Sequence, residues 1–162
     1  MKAAVVFYSM NGNTAFAARR AAQALEADLI EIAPEKKYPD KGFRKFFWGG
    51  KSALMAEAPA LKPYAFSASL YDLVVLGFPV WAGNMAPPIR TFVRDNREAL
   101  RGRRVCAFAC QSGSGAETAF KKLEDCLGGA LSAQLILIDP KDKPSAENDA
   151  KIDVFCELCR RG

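Results

Sequence analysis

Histidine is absent from the chain. That excludes Ser-His-Asp and Cys-His catalysis, and it takes the commonest ligand away from any transition-metal site. Long apolar runs are missing too; none approaches the roughly 20 residues that cross a bilayer. Lys2 leads straight into a strand-like run with no small-residue cleavage site before the first loop, so the N-terminus reads as that of a mature cytoplasmic protein. Gly50-Lys51-Ser52 has Lys45 where a P-loop needs its first glycine, which removes the P-loop of nucleoside triphosphate enzymes. Cysteine is present but odd in number: Cys106, Cys110, Cys126, Cys156 and Cys159. A chain of 162 residues, half of them hydrophobic, has no need of disulfide staples, and reduced thiols are expected. Chemistry here has to come from a bound cofactor, or from carboxylates and lysines.

What is there is a soluble globular balance, with a quarter of the residues charged. The length suits one domain, 1–162. The net charge of +5 is spread unevenly. Lys36, Lys37, Lys41, Arg44, Lys45 and Lys51 crowd one segment, and Arg101, Arg103 and Arg104 form another cluster. With Phe43, Phe46, Phe47 and Trp48 interleaved, the first segment has the makings of a nucleic-acid surface. A basic helix whose stems cover the sheet is the commoner outcome, and no nucleic-acid partner is expected.

Apolar runs alternate with helical patterns along nearly the whole length. Strands are expected at Lys2 to Tyr8, Ala27 to Ile32, Leu73 to Phe78, Val105 to Cys110 and Leu135 to Ile138. The third is apolar throughout, as befits a strand buried on both faces. Helices are expected from Thr14 to Leu25, with Phe16, Ala17, Ala21, Ala24 and Leu25 inward, and from Pro87-Pro88 onward, with Ile89, Phe92 and Val93 inward. Further helices span Ala116 to Leu127, stopped by Gly128-Gly129, and start again near Ser145, which suits an N-cap. The stretch 33–70 is longer than a strand–helix connection usually is, and a short helix is expected within it near Phe43 to Met55. Five buried strands alternating with helices imply a doubly wound parallel sheet, helices on both faces.

In such sheets ligands bind beyond the carboxyl ends of the strands. Three loops would meet there: 9–14, 79–84 and 110–115. The first, Ser9-Met10-Asn11-Gly12-Asn13-Thr14, collects hydroxyls, side-chain amides and a glycine just before a helix. Unpaired N–H groups and the helix dipole make that an anion seat, suited to a phosphate without any lysine or arginine.

Together the loops resemble those of flavodoxins and flavodoxin-like FMN proteins. Residues 9–14 look like their phosphate loop, Ser/Thr-x-Thr-Gly-Asn-Thr. Tyr71 to Trp81, followed by Gly83-Asn84 and Pro87-Pro88, looks like their third strand, flavin loop and next helix. Cys110-Gln111-Ser112-Gly113-Ser114-Gly115 takes the place of the second flavin loop. The resemblance implies a five-stranded sheet of order 2-1-3-4-5 and noncovalently bound FMN. It implies a phosphate on Ser9 to Thr14 and a flavin ring between Pro79, Val80, Trp81, Ala82, Gly83 and Asn84 on one side and Cys110, Gln111, Ser112, Gly113 and Gly115 on the other. Trp81 would lie against the ring, and the Ala82-Gly83 peptide would rotate with redox state. The expected role is electron transfer to redox partner proteins or to a small-molecule acceptor. Two departures stand out: Asn11 where the family has Thr, and no aromatic residue between Gln111 and Gly115. A small loop there leaves one flavin face open, as in related NAD(P)H-dependent quinone and flavin reductases. The basic charge balance also differs from that of strongly acidic carrier flavodoxins.

Other motifs carry less. Gly113-x-Gly115-x-x-Thr118 mimics a dinucleotide fingerprint but lacks its third glycine and follows the fourth strand, not the first. Cys156-x-x-Cys159 falls on the apolar stripe with Ile152 and Phe155, where cysteine acts as a small hydrophobe.

Overall fold

A computed structural model describes residues 1–38 and 57–161. The helix expected near Phe43 to Met55, Trp48, and the basic residues Lys41, Arg44, Lys45 and Lys51 lie outside the described residues.

Strand residues alternate between two cores, and that alternation builds the molecule. On β1 (Ala3–Phe7), Ala4 and Val6 face one core, while Ala3, Val5 and Phe7 face the other. The same two-residue period runs through β3 (Leu73–Trp81) and β5 (Arg104–Gln111). Covering the first face are α2 (Pro87–Leu100) and α3 (Ala116–Leu127), and covering the second are α1 (Asn13–Leu25) and α4 (Ala146–Arg161). The sheet runs β2 (Asp28–Glu31), β1, β3, β5, β6 (Gln134–Ile138), all parallel, and the two-residue β4 (Asn84–Met85) pairs antiparallel with β3 off this path. Counting the parallel strands alone, this is the expected order 2-1-3-4-5.

Local signals account for the element ends. Ser145 caps α4 by accepting the Asn148 N–H at 3.1 Å. Gly128, at φ 74°, ends α3 with its N–H on the Glu124 carbonyl. Pro87 and Pro88 occupy the first turn of α2, where a missing N–H costs nothing.

Three expectations are corrected. The inward stripe of α1 is Thr14, Ala18, Ala21 and Leu25 with the flanking alanines, and Phe16 is only partly buried. At about 100° per residue Phe16 falls almost opposite that stripe. Nor are all five strands buried: β2 shows Asp28, Leu29 and Glu31 to solvent. Among the described residues it is an edge strand with one neighbour, and its carboxylates blunt that edge. Finally, β3 does not stop at Phe78. It continues to Trp81 and turns back into β4, so residues 79–84 form a hairpin and not an irregular loop.

The 33–70 segment leaves and rejoins the sheet side by side. Pro34 bridges Leu61, Glu35 N–H reaches the Ala60 carbonyl and Lys62 N–H the Ala33 carbonyl. Among the described residues no helix is long and apolar enough to cross a membrane.

Candidate functional site

The carboxyl ends of β1, β3, β5 and β6 open onto one cleft of about 490 Å³, within the range of small-molecule sites. The 9–14 loop supplies Ser9, Met10, Asn11, Asn13 and Thr14 to its lining. The hairpin supplies Pro79, Val80, Trp81 and Ala82, and the loop after β5 supplies Cys110, Gln111, Ser112, Gly113 and Ser114. Gly12, Gly83, Asn84 and Gly115 stand behind this surface and shape it. The structure therefore brings the three expected loops together.

Gly12 is the N-cap of α1 at φ 93°, a backbone conformation that side chains resist. No Asn or Thr caps this helix. Instead the Ser9 hydroxyl reaches across and accepts the N–H groups of Gly12 at 3.2 Å and Ala15 at 3.1 Å. Asn13 and Thr14 are the first two helical residues, and their N–H groups have no carbonyl a turn earlier within the helix. They are the positive end of the dipole. The Thr14 side chain is buried, 1% exposed.

In the hairpin, Val80 pairs with Met85 and Trp81 with Asn84, leaving a two-residue turn, Ala82-Gly83. Both turn residues have positive φ, 49° and 69°, the geometry that matches strand twist in tight hairpins. For Ala82 that costs roughly 1–2 kcal/mol. Asn84 Nδ2 donates to the Ala82 carbonyl at 2.9 Å, and Lys122 Nζ donates to Asn84 Oδ1 at 2.7 Å. The Asn84 amide is thus engaged inside the hairpin, away from the cleft. Trp81 is clamped edge-on by Tyr8 at 5.9 Å and 88° and by Tyr38 at 5.2 Å and 89°. Burial pushes the Tyr8 phenol up first, and Tyr38 is raised to about 12 by burial and then by Glu57, so both rings stay neutral.

The loop after β5 is held at both ends. Gln111 Oε1 accepts the Ala116 N–H at 2.9 Å and starts α3. Ser112 Oγ donates to Asp139 Oδ1 at 2.6 Å. Between these ties Ser112, Gly113 and Ser114 are exposed, and a Cβ on Gly113 would meet nothing within 4 Å. Cys110 is buried, and burial raises its thiol to about 12, so it is a protonated strand-end residue and not a nucleophile. Cys156 and Cys159 are buried core residues on α4, in the same core as Cys106.

The loop after β6 is a fourth contributor that loop-by-loop reading of the sequence missed. Asp139 lines the cleft, and its carboxylate is tied to Ser112 and to Lys143 Nζ at 2.9 Å. Those two bonds, Ser112 first, hold its carboxyl below the usual aspartate value. Further on, Lys141 and Asp142 engage Asn13. The signal was available, because the last parallel strand also presents its carboxyl end to the switch point and is followed by the polar run Asp139-Pro140-Lys141-Asp142-Lys143. Tyr38 had no comparable signal; it lies in the long 33–70 segment.

The flavodoxin family model matches residues 2–137. This chain belongs to the flavodoxin family. Solved structures with the same fold include a flavoprotein from Lactobacillus acidophilus NCFM in complex with FMN, with 18% identity, TM-score 0.75, and 95% of this chain and 97% of that one covered. A candidate flavoprotein from Bacteroides uniformis ATCC 8492 shares 25% identity at TM-score 0.76, covering 96% and 97% of the two chains. The two-electron reduced flavodoxin of Megasphaera elsdenii aligns over 100% of both chains at 15% identity and TM-score 0.60. No curated protein matches significantly. The hairpin turn packs against the end of the loop after β5: a Cβ on Gly115 would stand 3.0 Å from the Gly83 Cα.

Proposed function

We propose that this flavodoxin-family protein binds FMN noncovalently in the cleft and transfers electrons. The observation that carries the reading is the convergence of three chemically different walls on one cleft. One is an anion seat at the start of α1, the second a preset tryptophan on the hairpin, and the third a small polar loop after β5. The residues fit the group. The Asn13 and Thr14 N–H groups, with Ser9 shaping the loop, would hold the phosphate. Pro79, Val80 and Trp81 offer the apolar wall for a flat ring, and the backbone around Ala82-Gly83 offers polar atoms to its edge. The one acid in the lining among the described residues, Asp139, is already neutralised in part by Ser112 and Lys143. Bound FMN would supply the electron chemistry. The chain's own residues orient it, exclude water from its inner face and set the charge around it.

One observation favours a second reading. Residues 112–114 are exposed and carry no aromatic ring, so nothing from this loop covers the outer face of a planar ligand. That opening suits direct contact with a nicotinamide nucleotide and a quinone-class acceptor. Titration of the purified protein with FMN tests the common ground: a colourless protein that takes up none at micromolar concentration sinks both readings. Anaerobic stepwise reduction then separates them. Two well-resolved one-electron steps support a carrier, whereas direct reduction by NADH or NADPH with quinone turnover supports an enzyme.

A further inference from the structure

We infer that Lys141, on the loop after β6, is the cation of the phosphate end of this site. The inference rests on the FMN reading and adds to it a residue that the phosphate loop does not contain. Residues 9–14 include no lysine or arginine. A phosphate seated there, carrying on the order of two negative charges, would otherwise be met by N–H dipoles alone. Lys141 brings a formal positive charge to the same loop from the far end of the sequence.

Its position is built. The Lys141 stem lies along Gly12, with Cδ 3.1 Å and Nζ 3.2 Å from the point where a Cβ on Gly12 would stand. The bare backbone at position 12 is what admits the lysine so closely. Nζ donates to the Asn11 carbonyl at 3.2 Å, which ties the ammonium to the middle of the loop. The Lys141 backbone is fixed as well. Asn13 Oδ1 accepts its N–H at 2.8 Å and the Asp142 N–H at 3.2 Å, and Asn13 Nδ2 donates to Asp142 Oδ2 at 2.8 Å. The Asn13 amide thus joins the two loops, and the lysine's reach is set by its side chain alone.

Competition for the ammonium is weak. Asp142 Oδ1 is 3.9 Å from Nζ, beyond hydrogen-bonding range, and the lysine side chain is 52% exposed. Exposed pairs of that kind hold little energy. Asp139, the other nearby carboxylate, is occupied by Ser112 and Lys143. A phosphate is a charged acceptor and so a stronger one than the neutral Asn11 carbonyl that now holds Nζ.

The test compares FMN with riboflavin, which has the same ring and no phosphate. Flavin fluorescence titrations of the wild type, Lys141→Gln, Lys141→Met and Lys141→Arg at low and raised salt give the affinities. Thermal unfolding without flavin checks that each variant is folded. Removing the charge is expected to weaken FMN roughly tenfold or more and leave riboflavin unchanged, with arginine restoring most of the loss. The wild type should also lose FMN affinity with salt more steeply than Lys141→Gln. FMN affinity within twofold of wild type in both uncharged variants overturns the assignment while leaving the FMN reading intact. So does an equal loss of FMN and riboflavin, which would make Lys141 a scaffold residue. A wild type that binds neither flavin overturns the reading beneath it, and the assignment with it.

Discussion

Gly77 on β3 stands directly opposite Phe108 on β5, and the phenyl ring fills the space a side chain would need: a Cβ at 77 would lie 2.2 Å from Cζ. No rotamer of a ring buried in the core can clear that distance cheaply. Gly77→Ala is therefore expected to cost on the order of 3 kcal/mol, at the upper end of overpacking effects. Phe108→Ala alone should cost about 3–5 kcal/mol through the cavity it leaves. The double variant should lose clearly less than the sum, because each change relieves the other. Urea unfolding of the four proteins gives the cycle, and simple additivity would mean that the ring moves aside freely.

This pairing also shows what could be read in the chain. Leu73 to Phe78 announced a buried central strand by an unbroken apolar run, and the helix ends were marked by Ser145, Gly128 and the Pro87-Pro88 pair. That Gly77 sits inside the run because of Phe108, thirty-one positions later, is a property of register and has no local signature. The same holds for the site. Ser9 to Thr14 declared a polar, glycine-containing loop at the start of a helix, and the structure places it on the cleft. Pro79 has no N–H to give a ladder, yet it lies level with Cys110 on β5 and the strand runs on to Trp81. Of the turn that ends it, only Gly83 carried a hairpin signal, since Ala82 is a residue that rarely takes positive φ. The brace from Asp139 to Lys143 depends on pairs such as Asn13 with Asp142, which chain order places at opposite ends.

Gly115 and Gly83 make a second test. A Cβ on Gly115 would come within 3.0 Å of the Gly83 Cα, a backbone atom that cannot step aside, and Gly115 has φ 108°. A Cβ on Gly83 would find its nearest neighbour, the Thr118 side chain, at 3.7 Å, although φ is 69°. Gly83→Ala should therefore cost only the backbone strain, about 1–2 kcal/mol. Gly115→Ala adds a clash to comparable strain, should cost more than about 2 kcal/mol, and should part the two loops that flank the cleft mouth. FMN affinity should fall far more for Gly115→Ala. Equal losses of stability and affinity in the two variants would show that the loops do not touch as described.

Trp81 is held by its neighbours before any ligand arrives. Edge-to-face pairs such as those with Tyr8 and Tyr38 contribute about 0.5–1.5 kcal/mol each beyond buried area. Trp81→Ala removes the apolar wall and should weaken FMN at least tenfold and shift its reduction potential. Tyr38→Phe keeps the clamp and should leave affinity within twofold, while Tyr38→Ala frees the indole and should weaken binding by an intermediate factor. Unchanged affinity and potential in Trp81→Ala would count against a role for the indole in the flavin site.

Asp139 gives the site a pH dependence whose sign can be worked out. Its carboxyl is nearly buried, at 12% side-chain exposure, and is held below the ordinary aspartate value of 3.8 by the Ser112 hydroxyl and then by Lys143. A carboxyl lowered on folding binds protons more readily in the unfolded chain. Its contribution to stability is complete above the unfolded value and is lost as pH falls through the lowered folded value. The Ser112 tie should therefore weaken only in acid, below about pH 4. Removing the charge by Asp139→Asn should cost about 1–2 kcal/mol at neutral pH, since a charge-assisted bond becomes a neutral one and Lys143 loses its partner. It should also flatten the acid limb of the stability curve and loosen the loop at Ser112. Denaturant unfolding between pH 2 and pH 7, run in parallel on both proteins, makes the comparison. An acid limb of the same depth in Asp139→Asn would assign the loss to other carboxylates, and the brace between the β5 and β6 loops would then rest on the Asp139 backbone bond to the Gln111 carbonyl instead.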